Sequence, residues 1–179
     1  MLDIVTFVWE KAYEYVKCPD PLRLGSHLDS DELDRRIVHE LLKDARLSFR
    51  ELSKKVKCSV VTVASRIRRM EKEGVVKGYT AIVDQEKLGY ELTTVTEVTV
   101  SKGKLLEVQK EIANMPSVCA VYDVTGAEDS IVISKFRNRE EVSSFTKAIL
   151  ALPHVERTNT HVVLNTCKED FRYPAVVHR

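Results

Sequence analysis

Residues 58–84, CSVVTVASRIRRMEKEGVVKGYTAIVD, decide the fold of the first half of this chain. Ser59 stands where its hydroxyl can accept a hydrogen bond from an unpaired amide of a first helical turn. Gly74 is the residue type that ends helices, because it adopts a left-handed conformation without strain. Between them, apolar side chains recur at helical spacing. They are Val60, Val63, Ile67 and Met70. The stretch therefore predicts an amphipathic helix with fixed ends.

The other face of this helix is polar and basic. It carries Thr62, Ser65, Arg66, Arg69 and either Lys72 or Glu73. Residues 75–83 are rich in β-forming types around Gly78, and they predict a short two-stranded β-ribbon. A helix that is apolar behind and basic in front, followed at once by such a wing, suits insertion into a DNA major groove. The alternative is an ordinary amphipathic surface helix.

Two more helices are predicted upstream. Asp31 at a cap and Glu32 in the first turn suit the positive end of a helix dipole. The apolar stripe of that helix is Leu33, Ile37, Leu41 and Leu42. Ser48 and Glu51 have the spacing of a capping box for a second, short helix. Three helices and a ribbon in this order predict a winged helix-turn-helix.

Charge is distributed unevenly along the chain. The net charge of the whole chain is only +1, yet residues 50–72 contain eight basic side chains and only two acidic ones. The basic residues are Arg50, Lys54, Lys55, Lys57, Arg66, Arg68, Arg69 and Lys72. Such a local excess predicts a surface that contacts nucleic-acid phosphates.

Cysteine usage and hydropathy indicate the compartment. Cys18, Cys58, Cys119 and Cys167 lie far apart with no paired spacing, which predicts reduced thiols rather than a zinc site or a disulfide framework. Asp3 stands where a signal peptide would carry basic residues, and no apolar run is long enough to span a bilayer. We expect a cytoplasmic protein without a metal ion.

The second half follows a different pattern, after a linker at 85–91. Strands are predicted at 92–100, 118–125, 130–136 and 155–164, and helices at 104–115 and 139–152. This βαββαβ order predicts a ferredoxin-like, four-stranded antiparallel sheet with both helices on one face. The chain is therefore expected to be α+β.

An internal repeat supports this prediction. The two helices have apolar residues at the same offsets: Leu105, Val108, Ile112 and Met115, then Val142, Phe145, Ile149 and Leu152. Pro116 and Pro153 follow them at equivalent positions, and proline cannot continue a helix. The second domain is thus two similar halves.

The sheet face that carries no helix needs a partner or solvent. Its strands mix polar and apolar residues at 93–97 and 157–160. A DNA-binding protein of this size usually needs two helix-turn-helix domains to bind its site. We therefore expect the sheets of two subunits to pair in a homodimer. The domain boundaries follow as 30–84 and 92–168, leaving a leader at 1–29 and a tail at 169–179 without an assigned role.

From about residue 31 to 168 the chain resembles the Lrp/AsnC (feast/famine) transcription regulators, in a form that looks archaeal. The motifs that carry the resemblance run in register through both domains. They are DELD at 31–34, DAR at 44–46, SFREL at 48–52, Arg66 with Ile67, GVVKGYTA at 74–81, LGY at 88–90 and VTGAED at 124–129. The resemblance implies a DNA-binding regulator that dimerises through its C-terminal domain. Members often assemble further into tetramers or octamers, and many bind an amino acid between dimers.

An effector site is implied on the loop after the second strand. Its residues would be Gly126, Ala127, Glu128 and Asp129, with Thr158 and Thr160 nearby. Gly126 would present its amide, and Asp129 would hold an ammonium group. Glu128 departs from the family pattern, where an aromatic residue is common. An extra carboxylate disfavours an acidic effector and favours a basic one, or else the site is unused and the loop is only a turn.

The resulting assignment is a sequence-specific DNA-binding transcriptional regulator, with an amino-acid effector as its possible ligand and no catalytic residue. The predicted DNA contacts are Arg50, Lys57, Ser59, Thr62, Ser65, Arg66, Arg68, Arg69, Lys72 and Lys77. Among these, Thr62, Ser65, Arg66 and Arg69 are expected to reach base edges, and the lysines and other arginines to contact phosphates.

Three other functions remain open at this point. Some proteins of this architecture resemble siroheme decarboxylases, but His39, His154 and His161 are scattered and form no nucleophile–base pair. An architectural protein that binds DNA with little sequence preference is the second. The third is an amino-acid sensor that does not bind DNA, which the basic helix face disfavours.

Overall fold

The structure is a computed structural model that describes residues 32–172. These residues form two compact units, one made of 32–83 with 167–172 and the other of 84–166. The predicted leader, the cap at Asp31 and the part of the tail beyond residue 172 lie outside the described residues.

The first unit, called here the helical unit, contains three helices, α1 (Glu32–Lys43), α2 (Phe49–Val56) and α3 (Val60–Lys72). Their apolar stripes meet in one core. Its fully buried members are Ile37, Leu52, Val56, Val63, Ile67 and Met70. Burying each such side chain contributes roughly 1.5–3 kcal/mol. The predicted helix order and apolar faces are confirmed except at Val60, which is 42% exposed and lies outside the core.

The two predicted N-caps that lie within the described residues, Ser48 and Ser59, are present. The Ser48 hydroxyl accepts a hydrogen bond from the Glu51 amide at 3.3 Å, and the Ser48 amide donates to the Glu51 carboxylate at 2.9 Å. Ser59 caps α3, because its hydroxyl accepts from the Thr62 amide at 3.0 Å. Lys57 turns the chain between α2 and α3 in a left-handed conformation, with φ of 56°.

The predicted β-ribbon is wrong. Residues 75–83 contain no strand. After Gly74, with φ of 74°, the amides of Val75 and Val76 donate to the Met70 carbonyl at 2.8 and 3.1 Å, so the chain folds back over the end of α3. These local hydrogen bonds prevail because an isolated two-stranded ribbon is marginal in water.

The second unit, called here the sheet unit, has the predicted βαββαβ order. Its elements are β1 (Leu92–Val100), α4 (Leu105–Ala113), β2 (Val118–Asp123), β3 (Ser130–Phe136), α5 (Arg139–Leu150) and β4 (Val155–Val162). The strands lie in the order β2-β3-β1-β4, and every neighbouring pair is antiparallel. A single 3-10 turn at Glu86–Leu88 precedes β1 in the predicted linker.

The two faces of this sheet differ. Alternate residues of β1 from Thr94 to Val100 are buried beneath the helices. Both helices contribute to the core there: it contains Val98, Val100, Val108, Ile112, Val132, Phe136, Phe145 and Ile149. The intervening residues of β1, such as Val95 and Glu97, point to the opposite face, which carries no helix among the described residues and is called here the open face.

Candidate nucleic-acid interface and effector loop

A line of exposed side chains runs along α3 on the side away from its core. Val61, Ser65, Arg68 and Lys72 follow one another at helical spacing, and all four are exposed. Neither Arg68 nor Lys72 has a hydrogen bond or ion pair with any residue in the 32–172 range that the structure describes. This line is called the α3 ridge, and its two cations are available to a partner.

Arg66 and Arg69 lie on another side of the helix and turn toward α1. Arg66 approaches the Asp34 carboxylate at 3.3 Å, and Arg69 bonds to the other oxygen of the same group. The side chain of Asp34 is only 2% exposed. Arg69 also approaches Glu73 at 3.7 Å. Charge-assisted bonds of this kind are strong, so the two guanidinium groups fix α3 against α1. Their geometry does not support the predicted base contacts.

The hydroxyls at the start of α3 are engaged in capping. The Ser59 and Thr62 hydroxyl oxygens lie 2.8 Å apart, and Thr62 is half-buried. Of the predicted base-reading residues, Ser65 is therefore the one that lies on the α3 ridge with no cap or ion pair. Val61 lies on the same ridge and is 79% exposed, although the apolar pattern of the sequence gave it no role.

The predicted phosphate contacts outside α3 are surface residues. Arg50, Lys57 and Lys77 are exposed. Lys55 instead pairs with Glu40 at 3.0 Å. The pKa of the Glu40 carboxyl is lowered, first by the hydrogen bond from Lys43 and then by that from Lys55. The basic residues of the helical unit are thus of two kinds. Some form ion pairs with carboxylates of the same unit, and others are exposed without such a pair.

In the sheet unit, the loop at 126–129 lies between β2 and β3. Gly126 has φ of 145°, a conformation that favours glycine, and the space beside its Cα is open. Asp129 accepts a hydrogen bond from the Val100 amide at 2.8 Å. Glu128 accepts one from the Arg157 guanidinium at 3.0 Å and another from the Thr99 hydroxyl. Both carboxylates of the predicted effector loop therefore have donors within the chain.

The two threonines of the predicted effector site lie elsewhere. Thr160 bonds to Thr96 at 3.1 Å, beneath the helices, and Thr158 lies opposite the buried Val98. Arg157 is opposite Thr99 and belongs to the open face. The structure thus gathers Glu128, Thr99 and Arg157, and it does not bring Thr158 or Thr160 to them. Sequence reasoning missed Arg157 and Thr99, which no motif marked.

The open face also carries a polar network. Glu97 accepts from Asn159 at 2.9 Å and lies 3.5 Å from the His161 ring. The pKa of the Glu97 carboxyl is lowered, first by the Asn159 bond and then by His161.

Metal and membrane features were also sought in residues 32–172. Within that range, no group of histidine, cysteine and carboxylate side chains is arranged to hold a metal ion. Cys58, Cys119 and Cys167 form no disulfide bond within that range. None of the helices in the described part has the length and apolar character needed to cross a membrane.

Two family models match this chain. The AsnC-type helix-turn-helix domain matches residues 31–71, and the Lrp/AsnC ligand binding domain matches residues 93–173.

Individual relatives agree with these matches. An HTH-type transcriptional regulator of Pyrococcus furiosus is 46% identical over 145 residues, which is 81% of this chain and 98% of that protein. The HTH-type transcriptional regulator FL11 of Pyrococcus horikoshii is 38% identical, covering 80% of this chain and 95% of that protein. Among solved structures, LrpC of B. subtilis has a TM-score of 0.68 at 33% identity, over 77% of this chain and 96% of that one.

Proposed function

The chain belongs to the Lrp/AsnC family of DNA-binding transcriptional regulators, and we propose that it contacts duplex DNA through the α3 ridge. The predicted function class is confirmed by the relatives, which are named transcriptional regulators. They give no support to the siroheme-decarboxylase-like alternative, and the chain is a regulator rather than an enzyme.

The availability of Arg68 and Lys72 is the observation that carries the proposal. Both extend from the α3 ridge with no partner among the described residues, whereas Arg66 and Arg69 are committed to Asp34. Cations at the edge of a recognition helix position it on the phosphate backbone. The fixed arginines keep the orientation of α3, and the free cations contact the DNA.

A paired-charge variant tests this assignment. DNA is selected from a random pool, and its affinity for the full chain is measured by fluorescence anisotropy over a range of salt concentrations. We expect the double variant Arg68→Ala with Lys72→Ala to bind more than about tenfold more weakly. The slope of log affinity against log salt should become shallower by about 0.9 for each phosphate that the variant no longer neutralises.

The matched control removes the same charge from the other unit. Lys102 and Lys110 are exposed lysines of the sheet unit that have no ion pair among the described residues. Replacing both by alanine should leave affinity and salt slope near those of the wild type. Equal binding by the two double variants would refute the role of the α3 ridge.

We propose that the protein binds DNA as a homodimer and that the two subunits pair through the open face of the sheet unit. Val95, Ile131 and Ile133 place apolar surface there beside polar residues, and none of the helices within residues 32–172 covers it. Two copies of α3 then match two half-sites about 34 Å apart. The selected DNA reports this spacing directly, and sedimentation of the free protein shows whether it is a dimer or a tetramer or octamer. The protein would act in the cytoplasm, with the DNA.

We also propose that an amino acid acts as effector near Gly126. The match of residues 93–173 to a ligand binding domain supports this. Glu128 favours a ligand with a basic side chain, which would compete with Arg157 for its carboxylate. Repeating the DNA-binding measurement with each common amino acid tests it, and a response to arginine or lysine is the expected result.

A further inference from the structure

Val61 occupies a position on α3 that stability does not explain. It is 79% exposed, whereas Val63, Ile67 and Met70 of the same helix are at most 2% exposed. A β-branched residue has a lower helix propensity than alanine and gains nothing from burial at such a site. Val61 is thus an apolar side chain that the helical unit leaves available for a contact outside the unit.

The position of Val61 on the α3 ridge indicates what it contacts. It lies in the first turn of α3, and residues near the N-terminus of a recognition helix are those that reach base edges. Its neighbours Ser59 and Thr62 use their hydroxyls on each other and on the cap. Val61 is thus the side chain that the first turn presents on the line of Ser65 and Arg68.

The chemistry of the major groove then indicates which group on the DNA an apolar side chain can contact. In unmodified DNA the C5-methyl of thymine is the one apolar group that a base pair displays there. Valine in a helix has one strongly preferred rotamer, so its methyl groups are already oriented before contact. We propose that Val61 packs against a thymine methyl, so that each half-site carries a thymine beneath the first turn of α3. This inference rests on the proposed DNA contact by the α3 ridge.

Uracil replacement tests the contact, because uracil differs from thymine only by that methyl. Each thymine of the selected site is replaced in turn, and affinity is measured at fixed salt. With the wild type, one thymine in each half-site should lose about fourfold in affinity on replacement, as expected for one methyl-sized group. With Val61→Ala the same replacement should change affinity less than about twofold.

Two controls separate this contact from general weakening. Val60→Ala makes the same truncation on the adjacent residue, which is 42% exposed, and it should keep the fourfold preference. Arg68→Ala should weaken binding to thymine and uracil sites equally. Circular dichroism verifies folding, and Val61→Thr, which keeps one methyl and the β-branch, should give an intermediate preference.

Replacing the sensitive thymine by cytosine or 5-methylcytosine provides a second, independent test of the methyl contact. At the sensitive position a C·G pair should bind the wild type weakly, and 5-methylcytosine should bind it more tightly than cytosine. Val61→Ala should not distinguish the two. The contact depends on the methyl group and not on the rest of the base.

The outcomes also separate this inference from the proposed function. A wild type that binds its selected site tightly but shows no uracil effect overturns the Val61 contact and leaves the α3 ridge intact. An undiminished uracil effect in Val61→Ala likewise overturns it. Failure of the wild type to bind any duplex would overturn both.

Discussion

Two carboxylate–arginine clusters, one in each unit, differ in burial more than in distance. Asp34 and Arg66 approach to 3.3 Å, and Glu128 and Arg157 to 3.0 Å. The Asp34 side chain is 2% exposed, whereas Glu128 is 18% and Arg157 is 68% exposed. Distance alone would rank the second pair higher. Burial reverses the ranking, because water and salt screen an exposed pair more strongly than a pair whose carboxylate is buried.

The two clusters consequently have different uses. A buried carboxylate depends on its partners, since an unpaired charge in the interior is costly. Asp34, Arg66 and Arg69 thus act as one structural group that fixes α3. Glu128 can exchange Arg157 for another cation at little cost, which is what an effector site requires.

The largest effect is expected at Asp34. Asp34→Ala should lower the free energy of unfolding of the helical unit by about 2–3 kcal/mol, the worth of hydrogen bonds to a charged group. The full 3–5 kcal/mol of a broken buried pair is not expected, because the two arginines are partly exposed and can be solvated. Urea unfolding of the full chain measures the change, and amide hydrogen exchange assigns it to α3.

The control is Glu32→Ala, which removes an exposed carboxylate from the same helix. Its effect should be below about 1 kcal/mol, the range of a charge interacting with a helix dipole. If Asp34→Ala were no more destabilising than Glu32→Ala, burial would not be the deciding factor in the comparison.

An intermediate effect is expected at Ser48. There the exposed Glu51 carboxylate accepts a hydrogen bond from the Ser48 backbone amide instead of pairing with a cation. Ser48→Ala should destabilise the helical unit by about 1 kcal/mol through loss of the cap of α2. Ser65→Ala, an exposed serine within α3, should stay within about 0.5 kcal/mol. Thermal unfolding by circular dichroism compares the two variants.

The same cap gives a pH dependence. The pKa of the Glu51 carboxyl is lowered from 4.5, first by the Ser48 hydroxyl and then by the Ser48 amide. Because the folded-state pKa lies below the unfolded one, the stabilisation is present above pH 4.5 and lost as pH falls through the folded value. Ser48→Ala should reduce this loss on acidification. An identical acid dependence in wild type and variant would contradict the capping role.

The smallest effect is expected at the exposed cluster. Glu128→Gln should change the free energy of unfolding of the sheet unit by less than about 1 kcal/mol, and the change should shrink as salt is added. Glu156→Gln, on the same strand as Arg157 and exposed, is the matched control. A loss at Glu128 as large as that at Asp34 would remove the distinction between the clusters.

Most of the secondary structure could be predicted because its signals are local. Strands β1 and β3 begin and end at the predicted residues, 92–100 and 130–136. Helices α4 and α5 end two residues earlier than predicted. The amides of Met115 and Leu152 bond to carbonyls only three residues back, at 3.0 Å each, because the residue before a proline disfavours the α conformation.

The candidate sites were predicted less completely. The basic face of α3 and its cap follow from periodicity, but Val61 does not, since an apolar residue off the core stripe carries no local signal. The ribbon at 75–83 failed because strand propensity does not supply a pairing partner. In the sheet unit, alternation along β4 places Thr158 and Thr160 on one face and Arg157 on the other, and only the pairing with β1 shows which face is covered.

The sequence by itself determined the family, the two domains and their helices and strands other than the ribbon at 75–83, because apolar period, caps and prolines act over a few residues. Only the tertiary structure decided which cations are free. Arg66, Arg68, Arg69 and Lys72 look alike in a helical pattern, yet Asp34, more than thirty positions away, holds the first and third. The helical periodicity of the sequence predicts only that a side chain lies away from the core. Whether it then meets water or a neighbouring helix depends on how α1 packs against α3.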